Sequence, residues 1–228
     1  MLGSRFFAVV SVSGLMLGAL PALGQTYEVL GGARQIGDND TRGYSSVTWR
    51  PAGMTAEGPQ LRFAGTASTS KMFGTNVRQR TLAFTGGYAW TVGAAGNLAL
   101  MAGPVYVKRT LDGLGDIDDV GVLASAEYSG FVGDRGFAVA YTEYSSPDQA
   151  LYARAFYSYY STDQFGLGPD ISYLNEPNFN RLTIGARGSY VIGSTVLSAT
   201  IGRAITKNDF VASTDRSVFL ELQFATSF

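Results

Sequence analysis

Six charged residues fall on the polar faces of alternating segments and are the side chains best placed to do chemistry. Three are arginines and three are carboxylates: Arg62, Arg154, Arg187, Glu127, Asp170 and Glu221. On the register predicted below, all six face one enclosed lumen, where opposite charges pair and partly fill the space. The sharper alternative is a sugar-permeable constriction, in which Arg and Tyr side chains contact polyols.

Enzymatic chemistry has few residues available. The chain contains no His and no Cys, which removes Ser-His and Cys-His catalysis, imidazole and thiolate metal sites, and disulfides. A carboxylate pair could still hydrolyse glycosides, but the spacing of the candidates singles out no pair among Glu127, Glu143, Asp170 and Glu221. We therefore expect no catalytic residues, no metal and no cofactor, and keep a barrel enzyme only as a third alternative.

Composition and the first segment predict an exported, single-domain protein. Charged residues make up 15% of the chain and the net charge is −1, so nothing favours binding to nucleic acid. Residues 1–24 resemble a secretory signal peptide, with Arg5 before an apolar run and small residues before Gln25. The alternative is a membrane anchor, but the run is shorter than the ~20 residues that a spanning helix needs. Residues 25–228 would then be the mature domain.

A period of two runs through the chain and is clearest at its end. One face of residues 216–228 carries Val218, Leu220, Leu222, Phe224, Thr226 and Phe228, while the other carries Ser217, Phe219, Glu221, Gln223, Ala225 and Ser227. Such alternation predicts a strand with one apolar and one polar face. A last strand ending on an aromatic residue is typical of outer-membrane barrels. We predict that Leu220, Leu222, Phe224 and Phe228 are the signal for the barrel-assembly machinery.

Twelve segments are predicted as strands, each about long enough for a tilted strand to cross a bilayer. They lie near 26–35, 43–50, 60–69, 80–91, 97–109, 119–130, 136–145, 150–161, 166–174, 181–192, 195–206 and 216–228. The predicted fold is all-β, a single closed antiparallel transmembrane barrel. Weak boundaries at 146–149 and 162–165 leave ten strands as an alternative, and a secreted β-sandwich is the alternative fold.

The connections predict which end of the barrel faces outward, because bacterial barrels have short periplasmic turns and longer outer loops. The predicted inner turns are 51–59, 92–96, 131–135, 162–165 and 193–194. The predicted outer loops are 36–42, 70–79, 110–118, 146–149, 175–180 and 207–215. The acidic stretch 111–119 is expected to be solvated, with a Ca²⁺ site as the alternative. Basic residues at the outer rim would attract lipopolysaccharide phosphates: Lys71, Arg78, Arg80, Lys108 and Arg109.

Aromatic residues fall near the predicted strand ends, where amphipathic rings favour the membrane interface. The inner set is Trp49, Trp90, Tyr128, Phe137, Tyr190 and Phe228, and the outer set is Tyr44, Tyr106, Tyr144 and Tyr173. This distribution favours a bilayer protein whose surrounding partners are outer-membrane lipids.

The chain resembles the cellulose biosynthesis protein BcsS family across nearly all of residues 25–228. The resemblance is carried by residues 27–32, 58–62, 86–88, 167–173 and 181–186. These are structural glycines and strand patterns with no catalytic signature. The resemblance implies an accessory role in producing or exporting bacterial cellulose, with cellulose synthase secretion components or the polysaccharide as partners.

Two functions follow from these observations. The first is a non-catalytic outer-membrane accessory factor for cellulose or another exopolysaccharide. The alternative is a porin-like channel for small solutes or oligosaccharides.

Overall fold

The computed structural model describes residues 26–38, 40–53, 56–72, 75–93, 96–113, 115–208 and 213–228. The predicted signal peptide, residues 1–24, lies outside this described part. The described residues form twelve strands: β1 (Thr26–Ile36), β2 (Asp40–Arg50), β3 (Gly58–Met72), β4 (Thr75–Val92), β5 (Gly96–Leu111), β6 (Gly115–Val132), β7 (Gly136–Ser145), β8 (Ala150–Tyr160), β9 (Phe165–Glu176), β10 (Phe179–Ile192), β11 (Thr195–Asn208) and β12 (Ser213–Ser227). In the described ranges, no helix is long and apolar enough to cross a membrane.

The twelve strands close into one antiparallel barrel. Each strand pairs with its neighbour in sequence, and β12 returns to pair with β1. This closure confirms the predicted twelve-stranded barrel and excludes the ten-stranded and β-sandwich alternatives. The two weak boundaries are real turns, since β7 ends at Ser145 before β8 begins at Ala150, and β8 ends at Tyr160 before β9 begins at Phe165.

The connections differ from the prediction at one end of the barrel. Tyr27 and Phe228 exchange backbone hydrogen bonds, so the start of β1 and the end of β12 lie at the same end of the barrel, which we call the terminal end. The opposite, far end was expected to carry long loops, and that expectation is wrong. At the predicted loop 70–79, for example, Lys71 pairs with Asn76 and Met72 with Thr75.

The reason is that these polar segments satisfy their backbone groups by pairing as hairpins. Gly113 and Gly115 adopt positive φ angles of 86° and 98°, which lets the chain turn sharply between β5 and β6. Both strands therefore extend well into the predicted loop 110–118. The polar residues of these predicted loops therefore belong to strand ends that extend beyond the apolar part of the barrel wall.

Side chains alternate between an apolar exterior and a polar interior. On β4, Leu82 and Phe84 are 50% and 51% exposed, whereas Ala83 and Thr85 are 6% and 3% exposed. Large apolar side chains cover the exterior on other strands too, including Phe63, Leu100, Val122, Leu167, Ile171, Ile184, Ile201, Leu220 and Leu222. Buried polar and exposed apolar residues are the reverse of a water-soluble protein and suit a wall between hydrocarbon and a polar lumen.

Two aromatic residues assigned to the membrane interfaces face the lumen instead. Tyr44 donates a hydrogen bond to Glu221, and Phe137 pairs with the buried Ser158. Residues directly opposite one another on paired strands share a face, so Phe137 also faces inward. Proximity to a strand end says nothing about the face, which is set by whether the residue number is odd or even within its strand.

Candidate functional site

Ion pairs that cross the barrel mark its interior. Arg154 on β8 and Glu221 on β12 approach to 2.8 Å between Nη1 and Oε1, although at least three strands separate β8 from β12 around the wall. Arg34 on β1 likewise donates from Nη1 to Ser172 Oγ on β9 at 3.3 Å. Contacts between distant strands can form only across the lumen. We call the residues that meet here the central cluster: Arg34, Tyr44, Arg154, Asp170, Arg187 and Glu221.

Glu221 is the most heavily bonded carboxylate of the central cluster. Its Oε2 accepts from Arg34 Nε at 2.9 Å and from Arg34 Nη2 at 2.6 Å. Its Oε1 accepts from Arg154 Nη1 at 2.8 Å and from the Tyr44 hydroxyl. Because the side chain is only 1% exposed, these four donors replace the water that an ionised carboxylate requires.

Asp170 is held in the same way by one arginine. Arg154 donates from Nε to Oδ1 at 3.0 Å and from Nη2 to Oδ2 at 2.5 Å, the two-pronged geometry that makes Arg–carboxylate pairs specific. Thr200 Oγ1 adds a third donor at 3.2 Å. Arg154 thus links both carboxylates, and this favours a structural ion-pair network over the glycosidase alternative.

A second ion pair lies apart from the central cluster. Arg62 on β3 donates from Nη2 to Glu127 Oε2 on β6 at 2.7 Å, across the two intervening strands β4 and β5. Arg62 Nε also donates to Thr48 Oγ1 at 3.0 Å. The Arg62 and Glu127 side chains are 13% and 20% exposed, so this pair is less completely enclosed than the pairs of Glu221.

The far end of the lumen is narrowed by three contacts, which together we call the mouth clasp. The turn 146–149 bends inward, and Asp148 pairs with Arg109 on β5 and accepts from Gln79 Nε2 on β4 at 3.1 Å. Arg181 on β10 pairs with Asp40 on β2 at 2.6 Å. A cavity of about 30 Å³, lined by residues of both the clasp and the central cluster, is of the size of about one water molecule.

The predicted lumen residues divide into two groups. Arg154, Asp170, Arg187 and Glu221 lie in the central cluster, whereas Arg62 and Glu127 form the separate pair. Arg109, expected at the outer rim, instead points into the mouth. Sequence reasoning missed Arg34 and Tyr44, although Arg34 shares its face of β1 with a second charged residue, Glu28, which was a usable signal.

The acidic stretch 111–119 has ordinary ion-pair partners. Asp112 pairs with Arg78, and Asp116 pairs with Lys108, both at 2.7 Å. In the described ranges no group of three or more acidic residues is arranged to hold a metal ion. Nothing in the described residues of this hairpin supports the Ca²⁺ alternative.

Comparisons with known proteins bear on the fold. No family model and no curated protein matches the chain. Among solved structures, "KdgM porin" is 8% identical, with 88% of this chain and 99% of that chain covered and a TM-score of 0.50. The translocator domain of autotransporter NalP from Neisseria meningitidis is 12% identical over 90% of this chain and 87% of that chain, with a TM-score of 0.49.

At these identities the likeness extends to the fold alone. The protein has the closed antiparallel barrel of bacterial outer-membrane proteins.

Proposed function

We propose that the protein is a porin-like barrel of the outer membrane, through which small polar solutes pass along a lumen narrowed by ion pairs. The observation that carries the proposal is the set of arginine–carboxylate pairs that join non-neighbouring strands across the lumen. A barrel of about eight strands is filled by its side chains, and wider barrels leave room for a passage. With twelve strands, this lumen is narrowed chiefly by long side chains, which can rearrange as a solute passes.

The lining favours polar, sugar-sized solutes. Arg34, Arg154 and Arg187 supply hydrogen-bond donors, and carboxylates beside them supply acceptors. Tyr141 and Tyr152 lie with their ring centroids 6.1 Å apart on the lumen face. Tyrosine rings offer an apolar face and a polar edge, a combination that suits a polyol.

Planar-bilayer recording of the purified protein tests this function. We expect discrete current steps of small size for the wild type. Arg154→Ala and Arg62→Ala should each enlarge the steps, because each removes a side chain that crosses the lumen. Arg80→Ala is the matched control, since Arg80 is exposed on the outer face of β4, and it should leave the steps unchanged.

Folding of each variant is verified by its heat-dependent mobility on a detergent gel. If the folded wild type, Arg154→Ala and Arg62→Ala all remain silent, the channel proposal is wrong and the barrel is a closed scaffold. Equal enlargement by Arg80→Ala would also contradict it, because the current would then not run past the ion pairs.

The accessory role in cellulose export, implied by the resemblance to the BcsS family, stays a prediction. Its expected partners are secretion components of cellulose synthase or the polysaccharide itself, beside lipopolysaccharide and the barrel-assembly machinery. Deletion of the gene in a cellulose-producing host should lower binding of a cellulose dye, and complementation should restore it. Unchanged dye binding would contradict this role without bearing on conductance.

A further inference from the structure

The central cluster holds one more positive than negative group. Its two carboxylates, Asp170 and Glu221, are bonded to Arg154 and Arg34. The third guanidinium, Arg187, forms only a long ion pair with Asp170, because its Nη1 is 3.7 Å from Asp170 Oδ2, beyond hydrogen-bond range. Asp170 is already occupied by Arg154 and Thr200. The surplus charge of the cluster therefore sits on Arg187.

Arg187 is also short of hydrogen-bond acceptors. Its Nη2 donates to Ser198 Oγ at 2.6 Å and to Gln223 Oε1 at 2.7 Å. Its Nε and Nη1 have no hydrogen-bond partner among the described residues, and the side chain is only 5% exposed. The ring of Phe156 lies 4.1 Å from the guanidinium carbon and covers one face by a cation–π contact. Desolvated N–H groups of a cation call for an anionic acceptor.

A second buried group without a partner lies on the same part of the wall. Ser158 faces the lumen from β8, is 1% exposed, and its Oγ has no hydrogen-bond partner among the described residues. Gly168 lies between the two on β9: it pairs with Arg187 on β10, and a Cβ on it would collide with the Tyr157 carbonyl oxygen and lie 3.3 Å from the Ser158 α-carbon. Only glycine lets β8 and β9 approach this closely, so Ser158 and Arg187 lie on the lumen faces of the two strands that flank Gly168.

We propose that Arg187 and Ser158 bind the carboxylate of an acidic solute, of the sugar-acid class, at a step in its passage. This rests on the proposed channel function and specifies its solute class. A carboxylate offers only acceptors, which match the free N–H groups of Arg187 and the Ser158 hydroxyl. Its single negative charge balances the single surplus charge. A doubly charged phosphate would add more negative charge beside Asp170 and Glu221 than the one surplus positive charge can balance. A neutral sugar would leave that surplus positive charge unbalanced.

Isothermal titration calorimetry on the folded protein in detergent tests this site. The probes are glucuronate and glucose, which differ by a carboxylate in place of a hydroxymethyl group. We expect glucuronate to bind at least about tenfold more tightly than glucose, in line with a charge-assisted hydrogen bond. Arg187→Gln should remove that preference, and Arg187→Lys should retain part of it because the charge remains.

Two serine variants test whether binding depends on Ser158 in particular or on any buried hydroxyl. Ser158→Ala should weaken glucuronate binding by a few-fold, the loss expected for one hydrogen bond. Ser145→Ala is the matched control: Ser145 is also buried with an unpartnered Oγ, but it lies at the far end of β7. It should bind glucuronate like the wild type.

The binding assay involves no current, so it separates this inference from the channel function. Equal binding of glucuronate by the wild type and Arg187→Gln, or no preference over glucose, would overturn the site even if the barrel conducts. Arg187-dependent binding by a barrel that passes no current would uphold the site and overturn the channel.

Discussion

Ion pairs of similar length occupy two different environments in this barrel. In the central cluster, Arg154 and Glu221 are 2.8 Å apart and are 10% and 1% exposed. On the β4–β5 rim, Arg78 and Asp112 are 2.7 Å apart and are 60% and 38% exposed. The distances alone would rank the two pairs as equals. Their difference lies in access to water: at the rim, water solvates a charged group that has lost its partner, whereas the nearly buried groups of the central cluster are solvated far less.

Connectivity separates the two regions further. Each carboxylate of the central cluster accepts from several donors, so removal of one residue leaves several groups without a partner. At the rim, Asp112 accepts from Arg78 and Asn76, both of which water can solvate. We therefore expect the effects of substitution to fall steadily from the cluster, through the Arg62–Glu127 pair and the mouth clasp, to the rim.

The largest effect is expected from Glu221→Ala. It leaves Arg34 and Arg154 inside the barrel without their shared carboxylate, and breaking such a pair typically costs about 3–5 kcal/mol. Urea-induced unfolding in detergent micelles measures the loss, with Glu57→Ala at an exposed position as the control. An unfolding midpoint equal to that of the wild type would mean that the cluster is as well solvated as the rim.

An intermediate effect is expected for Arg62 and Glu127. Their side chains are 13% and 20% exposed. We therefore expect a coupling free energy of about 1–2 kcal/mol, a value between those of buried and of exposed ion pairs. A double-mutant cycle of Arg62→Ala and Glu127→Ala isolates that coupling. A coupling free energy as small as that of an exposed pair would show that water solvates Arg62 and Glu127 as it does the rim pairs.

Alternation along single strands was enough to predict much of this structure. It placed strand β7 at its observed bounds, because the face of a side chain depends only on its position within its own strand. The far ends of β3 to β6 escaped prediction, since polar residues there resemble loop by composition. Contacts between strands also escaped it. The pairing of Arg154 with Glu221 depends on the stagger between strands in the closed barrel. That stagger is not determined by the residue pattern of any single strand.

A smaller effect is expected from Gly121→Ala at the mouth clasp. A Cβ at Gly121 would collide with Ser146 Oγ and lie 2.7 Å from Pro147 Cδ, so the turn that carries Asp148 must shift away. Because the turn can shift, we expect a loss of about 1 kcal/mol, the lower limit for overpacking. Release of Asp148 from Arg109 should also enlarge the current steps slightly. Gly188→Ala is the control, because a Cβ on Gly188 would meet nothing within 4 Å. Unchanged steps for Gly121→Ala would show that the clasp does not restrict the passage.

The smallest effect is expected at the rim, where pH gives the cleanest test. Hydrogen bonds from Arg78 and Asn76 hold the pKa of Asp112 below its ordinary value. A lowered folded-state pKa contributes stability above the unfolded-state value, and that contribution is lost as pH falls through the folded-state pKa. Arg78→Ala should therefore leave the unfolding midpoint nearly unchanged at neutral pH, and any small difference from the wild type should shrink in acid and at high salt. A loss as large as that of Glu221→Ala would contradict the contrast between the two regions, because exposure would then not govern the strength of these ion pairs.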